Sequence, residues 1–360
     1  MRVGLVIYGS LDTISGGFLY DRRLVSHLRR NRIEVVLVSL PWSSYGRLLT
    51  HNFSPYIYHQ LRRLDVDILL QDELNHPSLF LLNNRLRRQV RYPLVSIVHH
   101  LRCREQWPVR QRRFYRWIEQ RYLSDMDGFV FNSRTTRQTV ADLIGDCGLH
   151  VVAYPAGDRF GSPLSADVIQ RRARQPGPLR LLFVGNLIPR KGLHVLVAAL
   201  SQISGLDWRL DVVGNTAVSP SYTHHIRQQI TAAHLNEKIT LHGPSSDNTL
   251  QSLYANSHLL VVPSQYEGFG IVYLEGMGFG LPAIASTSGA AHELIAHGEN
   301  GFLVEPAGTA VLAQHVQVLI HNRDTLIQMS MAALQRYRAH PTWENSMQQI
   351  TTFLQSLHAK

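Results

Sequence analysis

The sequence predicts an α/β protein made of two Rossmann-like, doubly wound domains that face each other across a deep cleft. Three observations lead to this prediction. At 360 residues, the chain is too long for one ordinary core and suits two domains of about 100 to 200 residues. Short apolar runs alternate with amphipathic stretches, which is typical of parallel βαβ units. The alternation breaks once, around the Gly- and Pro-containing stretch 156–178, and then starts again.

The strand candidates divide evenly between the two halves of the chain. Those of the first half are 2–8, 33–39, 67–71, 93–98, 127–131 and 150–154, with helices such as 17–30 and 106–124 between them. Those of the second half are 180–185, 208–213, 238–242, 258–262, 282–286 and 301–304. This division predicts an N-terminal domain over 1–158, a linker over 159–178 and a C-terminal domain over 179–340. Because such sheets bind ligands at the carboxyl ends of their strands, we expect the active site in the cleft between the domains.

The segment 341–360 predicts one more amphipathic helix. We expect it to pack back across the seam between the domains, and an ordinary C-terminal helix is the open alternative. Its apolar residues recur at helical spacing: Met347, Ile350, Phe353, Leu354 and Leu357.

The composition is that of a globular protein, with 44% hydrophobic residues, 25 glycines and 16 prolines. The N-terminal stretch MRVGLVIYGS indicates a buried strand and not a signal peptide. The sequence contains no unbroken run of about 18 apolar residues, so it predicts no membrane span. We therefore expect a cytoplasmic protein. Cys103 and Cys147 lack the spacing of a metal or redox motif, so we expect two reduced, structural thiols.

The net charge of +10 belongs almost entirely to the first half of the chain. Residues 1–160 hold 23 arginines and no lysine against 14 acidic residues, whereas residues 161–360 are nearly neutral. A basic helix edged with aromatic residues can lie on an anionic membrane, and the simpler alternative is a solvated helix face. The arginines in question occupy segments 83–91 and 106–123: Arg85, Arg87, Arg88, Arg91, Arg110, Arg112, Arg113 and Arg116.

Two cations stand at a strand-to-helix junction in the second half. In VGNLIPRKG the predicted strand ends at Gly185, Asn186 follows, and Arg190 and Lys191 come just before a helix. Cations at such a junction suit a diphosphate, because the helix N-terminus adds backbone N–H donors and a partial positive charge. Taken alone, the pair would more often be solvated loop charges.

The stretch YEGFGIVYLEGMGFG places two carboxylates, Glu267 and Glu275, among glycines. The glycines leave the backbone bare, so that N–H groups can approach sugar hydroxyls or phosphate oxygens. A carboxylate can accept two hydroxyl hydrogen bonds at once, which fits the cis-diol of a ribose. The candidate backbone donors are those of Gly270, Ile271 and Val272.

Together these motifs resemble those of the retaining family 4 nucleotide-sugar glycosyltransferases, which have the GT-B fold. The resemblance is carried by VGNLIPRKG, VVPSQYEGFGIVYLEGMGFGLPAIAS and HELIAHGENGFLV, and by SGG at 15–17, and it covers essentially the whole chain. It implies that Arg190 and Lys191 bind the nucleotide diphosphate, Glu275 the ribose and Glu267 the transferred sugar. It also implies an acceptor-side N-terminal domain and a nucleotide-sugar-binding C-terminal domain.

The resemblance further implies a hexose-type donor sugar, linked to UDP or GDP, and no cofactor. The acceptor would be a hydroxyl of a glycan, of a lipid-linked substrate or of a small molecule. A lipid-linked acceptor would place the enzyme at the inner face of the cytoplasmic membrane. One departure from the family pattern is Asn186, which stands where many members have an arginine. Arg190 is the candidate for the missing charge.

Three segments of the N-terminal domain match acceptor-side and donor-side positions of the family. Gly16 and Gly17 open a helix and could present N–H groups to the diphosphate, although a tight turn would look the same. The strand PLVSIV is followed by His99 and His100, of which we favour His99 as the functional histidine. Ser133 and Arg134 resemble the acceptor-side segment, and simple capping of a helix by the serine is the alternative.

The sequence does not predict a metal site. Asp65–Asp67 and Asp125–Asp127 have the D-x-D pattern of metal-dependent transferases, but both precede a strand and so lie at the wrong edge of the sheet. No carboxylate stands out as a nucleophile for double displacement. The resemblance implies instead a same-face reaction in which the departing phosphate helps to deprotonate the acceptor.

Other protein classes account for part of the sequence. A nucleic-acid-binding protein would explain the basic half but not the glutamates and glycines, and we expect no nucleic-acid partner. An epimerase or a phosphorylase of the same fold, or a non-catalytic sugar-nucleotide-binding protein, would keep the donor site and differ in turnover.

Overall fold

In the computed structural model, which describes residues 1–13 and 15–359, the chain forms two compact units. Unit 1 comprises Met1–Pro155 and Pro341–Lys360, and unit 2 comprises Ala156–His340. Each unit is built on a six-stranded parallel sheet with flanking helices. The predicted fold class, two doubly wound α/β domains, is confirmed.

Unit 1 has the strand order β2-β1-β3-β4-β5-β6. Its buried central strands are nearly continuous apolar runs, as expected for a parallel sheet covered by helices. The strands are β1 (Arg2–Tyr8), β2 (Glu34–Leu40), β3 (Ile68–Asp72), β4 (Leu94–Val98), β5 (Gly128–Phe131) and β6 (His150–Val152). The helices are α1 (Gly16–Arg30), α2 (Tyr45–Leu49), α3 (Pro55–Arg62), α4 (His76–Leu79), α5 (Leu82–Leu86), α6 (Val109–Leu123) and α7 (Arg134–Ile144).

Unit 2 has the strand order β12-β11-β10-β7-β8-β9. Its strands are β7 (Leu179–Val184), β8 (Trp208–Val213), β9 (Ile239–Gly243), β10 (Leu259–Val262), β11 (Ala283–Ser286) and β12 (Gly301–Val304). Its helices are α8 (Ala166–Arg174), α9 (Leu193–Ser201), α10 (Pro220–Ala232), α11 (Asp247–Asn256), α12 (Ile271–Gly278), α13 (Thr309–His321) and α14 (Arg323–Arg338). The last helix of the chain, α15 (Trp343–His358), belongs to unit 1.

Each sheet contains one point at which the direction of winding reverses. In unit 1 the chain passes from β1 outward to β2 and then returns to β3 on the other side of β1. In unit 2 it passes from β7 through β8 to β9 and then returns to β10 on the other side of β7. The loops after the two strands at such a point diverge, which leaves a crevice at the carboxyl edge of the sheet. These two edges are where the functional side chains gather.

The segment 159–178, for which the sequence predicts a linker, contains a helix that packs within unit 2. Ile169 of α8 is fully buried. The Arg172 guanidinium donates hydrogen bonds to the carbonyls of Ala255 at 2.9 Å and Phe279 at 2.8 Å, next to the C-terminal ends of α11 and α12. These contacts satisfy carbonyls that helix ends leave unpaired, so the segment is part of the folded unit.

The helix predicted over 341–360 packs on unit 1. The ring of Trp343 meets that of Tyr20 edge-on at 5.7 Å. The Glu344 carboxylate accepts a hydrogen bond from Arg30 at 2.9 Å and lies 3.1 Å from Nδ1 of His27. Gly128 at the start of β5 allows the Phe353 ring to approach closely. The helix is therefore held by apolar contacts and by ion pairs to α1.

The two cysteines are free and buried, as the sequence predicts. None of the helices that the structure describes combines the length and the apolarity that crossing a membrane requires.

Truncation of a buried α15 side chain tests this packing. Ile350 is fully buried, so Ile350→Ala should destabilise unit 1 by about 2 to 5 kcal/mol through lost burial and a cavity. Thr352→Ala, at an exposed position of the same helix, is the matched control and should change little. Hydrogen exchange measures the effect, because the amides of α1 and β6 should lose protection only in the first variant. Equal protection in both variants would contradict the packing.

Candidate functional site

An ion pair occupies the winding reversal of unit 2. The loop after β7 carries Lys191 and the loop after β10 carries Glu267, and these strands are neighbours in the sheet although they are far apart in sequence. The Lys191 ammonium donates a hydrogen bond to Oε1 of Glu267. The Ser264 hydroxyl donates a second hydrogen bond to the same oxygen, at 2.8 Å. The structure thus brings together two residues that the sequence predicts as donor-binding.

Glycines allow these two loops to approach each other. Gly192 has a left-handed backbone with φ of 74°, and a Cβ atom there would lie 2.1 Å from the carbonyl oxygen of Pro263. Any larger residue would push the loop containing Lys191 away from the end of β10. Gly185 lies beside the aliphatic part of Lys191, where a Cβ atom would make only ordinary van der Waals contact at 3.4 Å. The backbone contact at Gly192 therefore sets how closely the loop with Lys191 approaches the end of β10.

The Lys191–Glu267 pair is largely withdrawn from water, with 17% of the lysine side chain and 11% of the glutamate side chain exposed. Burial opposes ionisation of Glu267, but the charges of Lys191 and Arg190 outweigh it and lower the pKa of Glu267 to about 2. Burial also lowers the pKa of Lys191, and the charge of Glu267 opposes that shift. The glutamate is therefore an anion at neutral pH and a very weak base.

Arg190 lies beside this pair, farther from the Glu267 carboxylate than Lys191 is. Its guanidinium donates a hydrogen bond to the carbonyl of Tyr266 at 2.8 Å and lies 3.9 Å from Oε1 of Glu267. Asn186 lies on the same loop and is half-buried. Two cations and one carboxylate at this edge leave a net positive charge.

Glu275 lies on the helix that follows, α12, which begins after Gly270. Gly270 has a φ of 88°, and the half-buried Ile271 and Val272 form the first turn. The first N–H groups of a helix have no partner within the helix, so these residues can offer donors to a ligand. Glu275 follows one turn later and is 2% exposed.

The carboxylate of Glu275 is bound by two side chains. Nε of Arg159 lies 2.6 Å from Oε1, and Nη2 of the same side chain donates a hydrogen bond to Oε2 at 3.3 Å. The Tyr254 hydroxyl donates a hydrogen bond to Oε2 at 3.0 Å. Burial raises the pKa of Glu275, and the charge of Arg159 opposes that rise. The sequence interpretation missed Arg159 because it assigned this segment to a linker. The signal was a lone arginine next to Phe160, on whose ring the guanidinium stacks.

In unit 1 the glycine pair opens α1. Gly16 and Gly17 are the first two residues of the helix, and the Ser15 side chain caps it by accepting a hydrogen bond from the Phe18 N–H. A Cβ atom on Gly17 would lie 3.2 Å from the ring of His99, so glycine allows the histidine to approach the helix start.

The two adjacent histidines have different surroundings. The His99 ring is held among Gly17, Tyr20 and Asp21, with Nε2 3.7 Å from Oδ1 of Asp21. The His100 ring lies 3.0 Å from the Glu105 carboxylate instead. The glycine pair is in contact with His99, and the choice between the two histidines stays a prediction.

The predicted acceptor-side pair lies at the start of α7. Ser133 is fully buried and caps the helix by accepting a hydrogen bond from the Thr136 N–H at 2.9 Å. Arg134 is the first residue of the helix and is exposed. The capping role is thus present, and the acceptor role stays a prediction.

Comparisons with known proteins identify both units. Residues 20–155 match the family described as Glycosyltransferase Family 4, and residues 166–336 match Glycosyl transferases group 1. The chain belongs to glycosyltransferase family 4. Among similar proteins is the D-inositol 3-phosphate glycosyltransferase of Corynebacterium efficiens, 27% identical over 268 residues. That match covers 69% of this chain and 62% of the relative, so it spans less than two thirds of the relative's length.

Solved structures confirm the GT-B fold. The sucrose-phosphate synthase of Thermosynechococcus elongatus superposes with a TM-score of 0.83 at 20% identity, over 99% of both chains. HepE of Anabaena, solved in complex with UDP-glucose, superposes with a TM-score of 0.77 at 20% identity, over 99% of this chain and 100% of HepE. At this level of identity the likeness shows the fold alone.

Unit 1 of this family 4 chain also buries a set of ionisable groups, of which the sequence interpretation named only His99. Asp21, Asp72 and His99 each place one side-chain atom within 4.8 Å of the others, and Glu73, His76 and Glu119 form a second such group. In the second group both nitrogens of His76 have partners, the Glu73 carbonyl and the Tyr45 hydroxyl. The signal was the run QDELNH at the end of β3, which places five polar side chains where a buried strand ends.

The two D-x-D segments are bound at the opposite, amino edge of the sheet. Asp65 accepts a hydrogen bond from the Arg2 side chain at 2.8 Å, and Asp67 accepts one from the Arg2 backbone N–H at 2.6 Å. Asp127 accepts hydrogen bonds from the Leu94 N–H and from Arg87. Asp125 accepts one from Asn84 at 3.3 Å. These contacts give each aspartate a structural role.

The Arg159–Glu275 pair predicts a stability change that depends on pH. The pKa of Glu275 is raised in the folded state. The free energy of unfolding that Glu275 contributes is therefore fully present below its unfolded-state pKa and is lost as the pH rises through its folded-state pKa. Arg159→Gln removes the charge that opposes this rise, so it should cost little at pH 4, below the ordinary pKa of glutamate, and about 3 kcal/mol at pH 8.

Hydrogen exchange of α12 amides, corrected for intrinsic rates, measures this difference. Arg209→Gln removes an exposed arginine of the same unit and should show no such dependence. A loss of protection in the Arg159 variant that is the same at both pH values would contradict the role of charge.

Proposed function

We propose that the chain is a retaining glycosyltransferase that moves a hexose-type sugar from a nucleotide diphosphate sugar to an acceptor hydroxyl. The observation that carries the proposal is the set of charged side chains at the winding reversal of unit 2: Lys191, Arg190 and Glu267, with Glu275 on the next helix. Family membership supports the reaction class. The UDP-glucose complex of HepE supports a UDP-linked donor, and a GDP-linked donor is the alternative.

Lys191 and Arg190 would hold the diphosphate. Together with Glu267, the two side chains carry a net positive charge. A bound diphosphate would replace the Glu267 carboxylate at one of the two cations. As the bond to the sugar breaks, negative charge grows on the phosphate oxygens, and fixed cations stabilise that charge without reorganising. We therefore propose that the reaction needs no metal ion.

Glu275 would bind the ribose. A carboxylate offers about four lone pairs; Arg159 and Tyr254 hydrogen-bond two of them, both on Oε2, and Nε of Arg159 lies 2.6 Å from Oε1 as an ion-pair contact. A ribose cis-diol needs two acceptors, so we propose that donor binding releases the longest of these contacts, the 3.3 Å hydrogen bond from Arg159. The remaining contacts keep the buried carboxylate paired.

Glu267 would orient the transferred sugar and would not attack it. A carboxylate with a pKa of about 2, bound by Lys191 and Ser264, is a poor nucleophile and a poor base but a good hydrogen-bond acceptor for a sugar hydroxyl. This favours the same-face reaction over double displacement. The departing phosphate would then take the acceptor proton.

The exposed face of α6 supports an acceptor at an anionic membrane surface, at the inner face of the cytoplasmic membrane. Val109 is 56% exposed, Phe114 43% and Trp117 55%, so apolar side chains point outward as well as into the core. The exposed arginines of the same helix alternate with them: Arg110, Arg112, Arg113 and Arg116. The name of the Corynebacterium relative, which acts on an inositol phosphate, favours a phosphorylated acceptor.

Removal of one cation tests the donor site. Lys191→Ala should weaken the binding of UDP or GDP and slow sugar transfer together, because the lysine meets charge in the ground state and in the transition state. Isothermal titration and a transfer assay measure the two effects, with a loss of at least about tenfold, or 1.4 kcal/mol, expected in each. Arg227→Ala, which removes an exposed cation of α10, is the control. Unchanged affinity and rate would refute the assignment, and turnover without an acceptor, or with orthophosphate, would favour the epimerase or phosphorylase alternative.

Neutralisation of α6 tests the membrane proposal. Replacing Arg110, Arg112, Arg113 and Arg116 by Gln should abolish co-sedimentation with anionic vesicles, because each cation contributes about 1 kcal/mol near such a surface. Donor affinity should stay unchanged, and high salt should mimic the substitution.

A second quadruple variant controls for total charge. It replaces four other exposed arginines by Gln: Arg29, Arg32, Arg171 and Arg174. Binding to anionic vesicles should persist in this variant. Equal pelleting of the unmodified protein with neutral and anionic vesicles, or none with either, would leave a soluble acceptor as the better account.

A further inference from the structure

The winding reversal of unit 1 holds a buried cluster of two carboxylates and one imidazole. Asp21 lies one turn after Gly17 on α1, Asp72 ends β3, and His99 follows β4. Asp21 is fully buried, and among the described residues neither of its carboxylate oxygens has a hydrogen-bond partner. Asp72 is 1% exposed, and its Oδ1 accepts from the Leu74 N–H while its Oδ2 has no such partner.

The cluster requires a positive charge. A carboxylate that is buried without a partner costs several kcal/mol, so two of them side by side must share a proton or meet a cation. The basic side chain in contact with them is His99, whose Nε2 lies 3.7 Å from Oδ1 of Asp21. That distance is an ion-pair contact and not a hydrogen bond. A protonated imidazole balances one carboxylate, and a proton on Asp72 balances the other.

We propose that Asp21 and Asp72 are positioning residues that hold His99 as an imidazolium, so that His99 serves glycosyl transfer as a hydrogen-bond donor and not as a base. This inference rests on the proposed function. The proton on Nε2 faces Asp21. The proton on Nδ1, a nitrogen that no described residue hydrogen-bonds, is the one donated to an oxygen of the substrate.

The groups that face His99 from each neighbouring element favour this state. Asp21 and the Tyr20 ring approach it from α1, and Asp72 and Glu73 from the end of β3. Burial alone would lower the pKa of His99, but the pairing with Asp21 and the charges of Asp72 and Glu73 raise it to about 9. Burial and the charge of Asp21 raise the pKa of Asp72, which favours its protonated form.

An imidazolium limits where the acceptor proton can go. In the proposed reaction the acceptor O–H bond breaks, a bond forms between the acceptor oxygen and the anomeric carbon, and the bond from that carbon to the diphosphate oxygen breaks. The proton passes to the departing phosphate, because His99 is already protonated. The histidine instead donates a hydrogen bond from a position fixed by the two aspartates.

Nuclear magnetic resonance of the unmodified full-length protein, labelled with ¹⁵N-histidine, tests the charge state directly. The His99 resonance is identified by its absence in His99→Gln. It should show both nitrogens protonated at pH 7.5 and a titration midpoint near 9. Asp21→Asn, which keeps the shape and removes the charge, should lower the midpoint by at least about one pH unit, the shift that 1.4 kcal/mol of lost interaction gives. Asp72→Asn, which resembles the protonated carboxyl, should lower it less. Asp142→Asn, at an exposed carboxylate of α7, should leave it unchanged.

The pH profile of transfer gives the second readout. In Asp21→Asn the alkaline limb of kcat should move down with the midpoint, so that kcat falls about twofold at pH 8 and about fivefold at pH 9 and recovers at lower pH, while KM for the donor stays within about twofold. A role in folding alone would lower kcat equally at all pH values.

Three results would overturn the proposal: a neutral His99 at pH 7.5, a midpoint that Asp21→Asn does not shift, or a stoichiometric divalent metal bound at the cluster. Absence of transfer with every donor would refute the proposed function, and the resonance titration would still decide the charge of His99.

Discussion

The ion pair between Lys191 and Glu267 depends on one topological fact, that β7 and β10 are neighbours while the chain leaves them in opposite directions. The reversal brings the loop that carries Lys191 against the loop that carries Glu267, and Gly192 allows the two backbones to approach. Because both charges are withdrawn from water, each is stable only while the other, or a ligand of the same charge, is present. A diphosphate can therefore replace a carboxylate on the lysine, and a sugar hydroxyl can replace the lysine on the carboxylate.

Unit 1 has the same arrangement with the opposite sign. At its reversal, between β1 and β3, the buried groups are the carboxyls of Asp21 and Asp72, which a protonated histidine and a proton on Asp72 balance. Unit 2 thus offers cations to a ligand, whereas unit 1 offers a single donor held by anions. The difference follows from the residues at the strand ends, which are arginine and lysine in the loop after β7, and aspartate as the last residue of β3 with glutamate just after it.

The strands, the sheets and the positions of the donor-side candidates in the fold could be predicted from sequence because their signals are local. Apolar runs mark the buried strands, and Arg190, Lys191, Glu267 and Glu275 stand in motifs whose spacing fixes their place at a strand or helix end. Arg159 could not be predicted in the same way, because its partner lies 116 residues away and its own segment resembles a linker. Asp21 reads as an ordinary polar residue of an amphipathic helix, and only the packing of α1 on the sheet reveals its burial.

The central claim is that Glu275 binds the donor ribose, and a double-mutant cycle tests it most directly. The affinities of the unmodified protein and of Glu275→Gln are measured for UDP and for 2′,3′-dideoxy-UDP, or for the GDP pair if that nucleotide binds. If the carboxylate accepts the two hydroxyls, the account predicts a coupling energy of at least about 1 kcal/mol, so that the substitution matters for the ribonucleotide and hardly for the dideoxynucleotide. A coupling energy of zero, with both nucleotides weakened equally or not at all, would contradict it.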